Sequence, residues 1–180
     1  EFRQATRQLV GEADLLVRAG DAGFDERYYA ELARLPQVRA ASPVVELDVA
    51  LPGQRDPLRL LGVDPLRAAA IQPQLYGDVA SRLLELFEPD AVLLSAAAAE
   101  WLGLRTGQTF TVTRGSGLTS LRVLGVLPRD VLPGRAAIMD IASAQWRFDR
   151  IGRLQRIDLR LEPGSDGRAL RERLAARLPP

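Results

Sequence analysis

Asp90-Ala-Val-Leu-Leu-Ser-Ala-Ala-Ala-Ala-Glu-Trp-Leu-Gly-Leu-Arg-Thr-Gly-Gln-Thr-Phe-Thr-Val-Thr113 reads as a strand, a capped short helix, a glycine turn and a second strand. Ala91 to Leu94 is apolar and short enough for a buried strand. Ser95 is placed to cap a helix over Ala96 to Leu102, and Gly103 to stop it. Gly107 supplies the turn before Thr109-Phe-Thr-Val-Thr113, Arg114-Gly-Ser-Gly117 a hairpin turn, and Leu121 to Leu127 the returning strand. The stretch holds no obvious catalytic group, so its value is architectural.

On either side the same grammar recurs. Residues 1 to 11 suit a short amphipathic helix, with Phe2, Thr6, Leu9 and Val10 at helical spacing and Gly11 at its end. Asp14 to Gly20 reads as a strand, and Asp25 as the cap of a helix carrying Tyr28, Leu32 and Leu35 until Pro36. From Val38 to Leu51 the chain is extended, with Val45, Leu47, Val49 and Leu51 alternating against Glu46, Asp48 and Ala50. Pro43 predicts an edge or a bulge. Pro52 to Pro57 is a turn, and Leu58 to Val63 pairs back as a hairpin arm. The prolines between Asp64 and Pro89 predict short helices and loops, the junction between two lobes.

After Pro128, Ala136 to Asp140 is a strand and Ala142 to Phe148 a short helix. Arg156-Ile-Asp-Leu-Arg-Leu161 alternates as a strand, Ser165 or Asp166 caps, and Leu170, Leu174 and Leu178 line a last helix. The predicted fold is α+β: a discontinuous split β-α-β lobe (1–63 and 154–180) with an inserted smaller mixed α/β lobe (64–153).

Composition excludes most chemistry. The 180 residues are 47% apolar, enough for a core, and contain neither histidine nor cysteine. A Ser-His-Asp triad, a thiol nucleophile, the usual zinc sites and disulfides are thereby excluded. Lysine and asparagine are absent too, so all 24 basic residues are arginine, and Schiff-base and P-loop lysine mechanisms fall away. With 23 interspersed acids the net charge is +1, which argues against a nucleic-acid footprint. The longest apolar runs fall far short of the roughly 20 residues of a spanning helix, and no signal peptide is legible at the start.

Each candidate site has a plainer account. Gly115-Ser-Gly117 lacks the third glycine of a dinucleotide fingerprint and suits a hairpin turn. Glu46 and Asp48 share a strand face, close enough to raise one carboxylate's pKa or hold a metal, but that face is the wet one. Asp21, Asp25 and Glu26 lack calcium-loop spacing and suit turn and cap roles. Ser95 has neither the flanking glycines of a nucleophile elbow nor a base to activate it. Trp101 is read as core; Trp146 and Phe148, beside Arg147 and Arg150, are weighed as a contact point and assigned to the core. No catalytic, cofactor-binding or metal-binding residue is assigned, and no cofactor is expected.

The order of these pieces carries a resemblance. Leu32-Ala-Arg-Leu-Pro-Gln-Val-Arg-Ala-Ala-Ser-Pro-Val-Val45, Leu61-Gly-Val-Asp-Pro65, the 90–113 stretch, Leu121 to Leu127 and Arg156 to Leu161 with its helix resemble, together and over nearly the whole chain, the MacB-like periplasmic core domain of FtsX-type ABC transporter permeases. The resemblance implies a non-catalytic domain outside the bacterial inner membrane, between the first two transmembrane helices of a permease of the FtsX, MacB or LolC type. It implies a porter-like lobe with an inserted lobe, coupled through the membrane part to an ABC ATPase domain or subunit. A second permease subunit is implied as well, and as cargo or partner a lipid, lipoprotein, drug, peptide or periplasmic protein. No nucleic acid is expected. The resemblance transfers no binding residue to a numbered position. It also predicts that the gene product has apolar segments of roughly 20 residues shortly before Glu1 and shortly after Pro180. The rival readings are a freestanding extracytoplasmic adaptor that grips a protein through its strand edges, and a carboxylate-dependent hydrolase.

Overall fold

The computed structural model describes residues 13–71, 84–114 and 117–175. The expected helix over residues 1 to 11, the helix position Leu178 and the glycine-serine pair at 115–116 lie outside the described residues.

The chain runs β1 (Leu15–Arg18), β2 (Phe24–Asp25), α1 (Arg27–Ala33), β3 (Val38–Val49), β4 (Leu58–Val63), α2 (Pro65–Ile71), β5 (Ala91–Ser95), α3 (Ala96–Leu102), β6 (Thr109–Arg114), β7 (Gly117–Leu127), β8 (Ala136–Asp140), α4 (Ile141–Arg147), β9 (Arg153–Leu154), β10 (Arg156–Leu161) and α5 (Gly167–Ala175). Eight strands form one mixed sheet in the order β1-β10-β3-β4-β8-β5-β7-β6, and β2 pairs with β9 beside it. The lobe boundary predicted at residue 63/64 falls at the parallel pair β4–β8, so hydrogen bonding runs across it without a break. Beyond β3, Ala50 forms a two-way backbone bridge to Thr113 of β6, 2.9 and 2.7 Å long. The sheet therefore curls until β6 meets the chain leaving β3.

Strand alternation sorts the apolar side chains into two layers. Val45, Leu47, Val49, Leu58, Leu60, Val92, Leu94, Ala137 and Met139 point to the first face, into a cluster that takes in Leu32 of α1, Ala98 of α3, Ala144 of α4 and Leu170 of α5. Val44, Leu61, Val63, Ala91, Leu93, Ala136 and Ile138 point to the second, under Ala68 of α2, Leu86 and Leu132. Because β5 and β8 are buried on both faces, Ala91–Leu94 and Ala136–Met139 are continuous apolar runs. The β5–β7 register jumps between Val92 and Leu93, skipping Leu124. That bulge explains why Leu124 and Leu127, an odd three residues apart, both belong to the second layer.

Local chemistry places the ends. Ser95 Oγ accepts from Ala98 N at 3.1 Å, capping α3 as expected, and Gly103 ends it at φ 65°. The same buried hydroxyl donates to the Gly134 carbonyl (2.6 Å) and accepts from Ala136 N (3.1 Å), tying the start of α3 to the start of β8. Asp166 is the residue of its pair that caps α5, accepting from Arg168 N and Ala169 N at 3.0 Å each. Asp25 sits one residue earlier than expected: the N-cap of α1 is Glu26, while Asp25 accepts from Arg27 N at 2.9 Å. Pro43 marks a local edge. Val44 turns its carbonyl toward Gln155, so alternation turns the backbone of Pro43 toward β4, just past the last pair, Val44–Val63.

One close approach fixes α4. A Cβ on Gly62 would stand 2.5 Å from the Ala144 Cβ, closer than two carbons can pack, so only glycine lets the helix seat on β4. Phe148 is in the core as expected, but Trp146 is not: it is 68% exposed. α4 turns only one stripe inward, with Ser143 and Ala144 buried, and position 146 falls off that stripe. Trp101 is half-buried against the core, with the Arg135 guanidinium 4.4 Å over its ring.

Candidate functional site

The second face of the sheet divides in two. Toward β5 it is apolar; toward β1 it is charged. Glu46 and Asp48 project from it as alternation requires, and the register brings them neighbours remote in sequence: Arg18 lies opposite Arg156, and Arg59 opposite Asp48. The carboxylate of Glu46 gathers three arginines, with Arg156 Nη1 at 3.2 Å, Arg59 Nε at 3.6 Å and Arg18 Nη2 at 3.9 Å. Arg156 also pairs with Asp158 two residues on: Nη2 donates to Oδ2 at 3.2 Å, while Nε stands 2.7 Å from Oδ1 as an ion pair without hydrogen-bond geometry.

Burial grades this cluster from the inside out. The Arg156 and Asp158 side chains are 8% and 11% exposed, Glu46 20%, and Arg18 and Arg59 about half exposed. Burial raises the Asp158 carboxyl above the usual carboxylate range, against the pull of Arg156. The balance is physical: desolvation penalises the ion more than one shared guanidinium repays. Asp48 is exposed and its backbone carbonyl accepts from Arg114 Nη1 at 3.3 Å. Burial, then the nearby Arg150, lower the Arg114 pKa, opposed by Asp21 and Asp48.

Two clefts open on either side of this ridge and share Arg18, Glu46, Asp48 and Arg59 as a common wall. One, of about 280 Å³, reaches Pro133 and Arg135; the other, of about 640 Å³, reaches Asp21, Thr113 and Arg114. The larger is mainly polar, a surface suited to polar contacts, whereas the smaller sets charged side chains against Pro57, Leu61, Leu132 and Pro133.

The candidates read from sequence fall as follows. Glu46 and Asp48 do share a face, and Glu46 is held there by Arg156, Arg59 and Arg18. Ser95 is used up by its three structural bonds. Asp25 pairs with Arg27 at 3.7 Å, and Glu26 accepts from Gln145 Nε2 at 3.0 Å. The strands flanking the 114–117 turn pair through Arg114–Gly117. Among the described residues no three of His, Cys, Asp and Glu converge as metal ligands. What the sequence reading missed is the Arg156–Asp158–Glu46 centre. Its charges were visible in the alternation of Arg156-Ile-Asp-Leu-Arg, but their burial depends on β10 lying between β1 and β3.

Solved structures share this mixed-sheet fold. The periplasmic region of MacB from Actinobacillus actinomycetemcomitans superposes with a TM-score of 0.60 at 12% identity, over 96% of this chain and 85% of that one. The extracellular domain of the noncanonic ABC-type transporter YknZ from Gram-positive bacteria gives 0.56 at 14% identity, over 83% of each chain. A domain of a putative permease protein from Porphyromonas gingivalis gives 0.51 at 18%, over 86% and 68%.

The chain belongs to the MacB-like periplasmic core domain family, whose profile matches residues 1–177. A curated relative, the uncharacterized ABC transporter permease protein Rv0987 of Mycobacterium tuberculosis (strain ATCC 25618 / H37Rv), is 27% identical over 183 aligned positions. The alignment covers 97% of this chain and 21% of that protein, so the chain spans about a fifth of the relative's length. Among the described residues no helix is long and apolar enough to cross a membrane.

Proposed function

We propose that this chain is the non-catalytic extracytoplasmic domain of an ABC transporter permease of the FtsX or MacB type, held at the bacterial inner membrane by flanking spans. An ATPase domain or subunit on the cytoplasmic side hydrolyses ATP, and the membrane helices relay that motion here. A second permease subunit completes the transporter. The domain acts on a lipid, lipoprotein, drug or peptide cargo, or on a periplasmic partner protein, by changing shape. The family match over residues 1–177 is the observation that carries this reading. A polar face on which the Glu46 and Asp158 carboxylates are held by Arg156 is compatible with it, since a relay needs contacts and no reactive group.

In this reading the two lobes, 1–63 with 154–180 and 64–153, are the parts that shift against each other. The Ala50–Thr113 bridge is where such a shift is easiest to block. The chain lacks cysteine, so two tests carry no background thiol from this domain. A cysteine placed at the exposed tip residue Leu118 of the full-length protein is expected to react with a membrane-impermeant maleimide added to intact cells; protection until lysis overturns the extracytoplasmic placement. Ala50→Cys with Thr113→Cys, oxidised, is expected to suppress cargo-coupled ATP turnover of the reconstituted transporter and to release it on reduction. Unchanged turnover in the oxidised state overturns the lobe motion and leaves the placement standing.

A further inference from the structure

The end of α4 presents side chains that the fold itself does not use. Phe148 turns into the core at 4% exposure, and the chain then bends sharply through Asp149, at φ 53°, and Gly152, at φ 73°, into β9. Asp149 is the one non-glycine at positive φ among the described residues, a strained conformation for that residue. The bend is pinned by Arg150 N to the Gln145 carbonyl (2.7 Å), Arg153 N to the Arg150 carbonyl (2.9 Å), and the Gln145 amide to the Arg153 carbonyl (3.3 Å). Its product is Trp146 at 68% and Ile151 at 73% exposure, standing out on either side of the buried phenylalanine.

The charges around this pair are uneven. Arg147, Arg150 and Arg153 have no ion pair among the described residues, and the buried Nε atoms of Arg147 and Arg150 have no acceptor. Of the neighbouring acids Asp25 is paired with Arg27, while Glu26 accepts only the neutral Gln145 amide and keeps its charge, so three guanidiniums face two exposed carboxylates, Glu26 and Asp149. An exposed Trp beside unpaired Arg is the composition of an interface centre, where aromatic anchors fill pockets and guanidiniums take carboxylates.

We infer that the 146–153 bend is a docking surface for a protein segment that offers an apolar pocket edged by carboxylates. Trp146 and Ile151 fill the pocket; Arg147, Arg150 and Arg153 take the carboxylates. A protein is favoured over an anionic lipid surface because Glu26 and Asp149 lie beside the arginines: a uniformly negative surface repels them, whereas a protein can set a donor against each. The inference rests on the partner-engaging part of the reading above and names where that contact lies.

The test is made in the full-length protein, in its own cells, with Trp146 replaced by the photo-crosslinking residue p-benzoylphenylalanine. Irradiation is expected to give an adduct with another protein, whose cross-linked peptide, mapped by mass spectrometry, carries more Asp and Glu than Arg. The adduct should fall at least fivefold with Arg147→Glu plus Arg150→Glu, and also with Arg153→Glu alone, a change at an exposed position. The same cross-linker at Leu118 should not capture that protein. A lipid adduct, an adduct of twice the protein's own mass, a peptide without net acidity, insensitivity to charge reversal, or no adduct each overturns the proposal. Cross-linking can fail while Leu118 still labels from outside, so loss of this surface is distinguishable from loss of the extracytoplasmic placement.

Discussion

β3 faces two environments with one strand. On one side Val45, Leu47 and Val49 meet α1, α4 and neighbouring strands in a continuous apolar layer; on the other Val44 begins apolar and Glu46 and Asp48 finish charged. The apolar side is stabilised by contact area, roughly 1.5–3 kcal/mol for each fully buried large side chain, and its weak points are places where volume cannot change. The charged side is stabilised only while every buried ion keeps its partner. The difference is between a layer limited by shape and one limited by charge balance.

Removing Arg156 should break that balance most severely. Arg156→Ala leaves Asp158 without its guanidinium and Glu46 with only the half-exposed Arg18 and Arg59, and the expected cost is about 3 kcal/mol in urea unfolding. A cost below about 1 kcal/mol would show the cluster to be ordinary surface charge. On the apolar side, Gly62→Ala forces α4 off β4 by setting a methyl against Ala144, and should cost about 2 kcal/mol. Gly53→Ala, where a Cβ meets nothing but φ is 80°, is a control for backbone strain without crowding.

The pH dependence sharpens the comparison further. The folded-state pKa of Asp158 is raised, so the folded protein binds its proton more tightly than the unfolded chain does. Its contribution to stability is full below the ordinary value of 3.8 and fades as pH rises through the raised value. Acidification through that window should therefore favour the native chain relative to Asp158→Asn, which cannot titrate. A difference in unfolding free energy that is flat with pH contradicts the shift. The smallest effect is expected at the rim: Arg18→Gln should change stability by less than about 0.5 kcal/mol, since Arg18 is half exposed and 3.9 Å from Glu46.

Much of the fold was legible because it rests on local rules. Ser95 with Gly103 bounds α3, the alternation from Val45 to Leu51 gives a face, and the turn at 52–57 folds β4 back onto β3. What local pattern could not supply was which strands adjoin. The parallel β4–β8 pairing joins segments more than seventy residues apart and links residues 58–63 directly to residues 136–140. The charged centre was half legible: Glu46 and Asp48 were seen to share a face, and Arg156 and Asp158 to lie on a strand. Their meeting was not, because cross-strand register has no local signal. Trp146 was misread for a related reason: a seven-residue helix turns only one stripe inward, and a tryptophan in the sequence does not say on which stripe it falls.

The sequence by itself determined the repertoire of elements, the absence of histidine, cysteine and lysine chemistry, and, through the order of its motifs, the family. These follow from residue identity and near-neighbour spacing, which the chain carries wherever it folds. Only the tertiary structure decided that β10 lies between β1 and β3, burying Arg156 and Asp158, that Gly62 admits α4, and that Trp146 and Ile151 are left outside. Burial and ion pairing belong to surfaces brought together from distant parts of the chain, and no stretch of sequence contains both sides of such a contact.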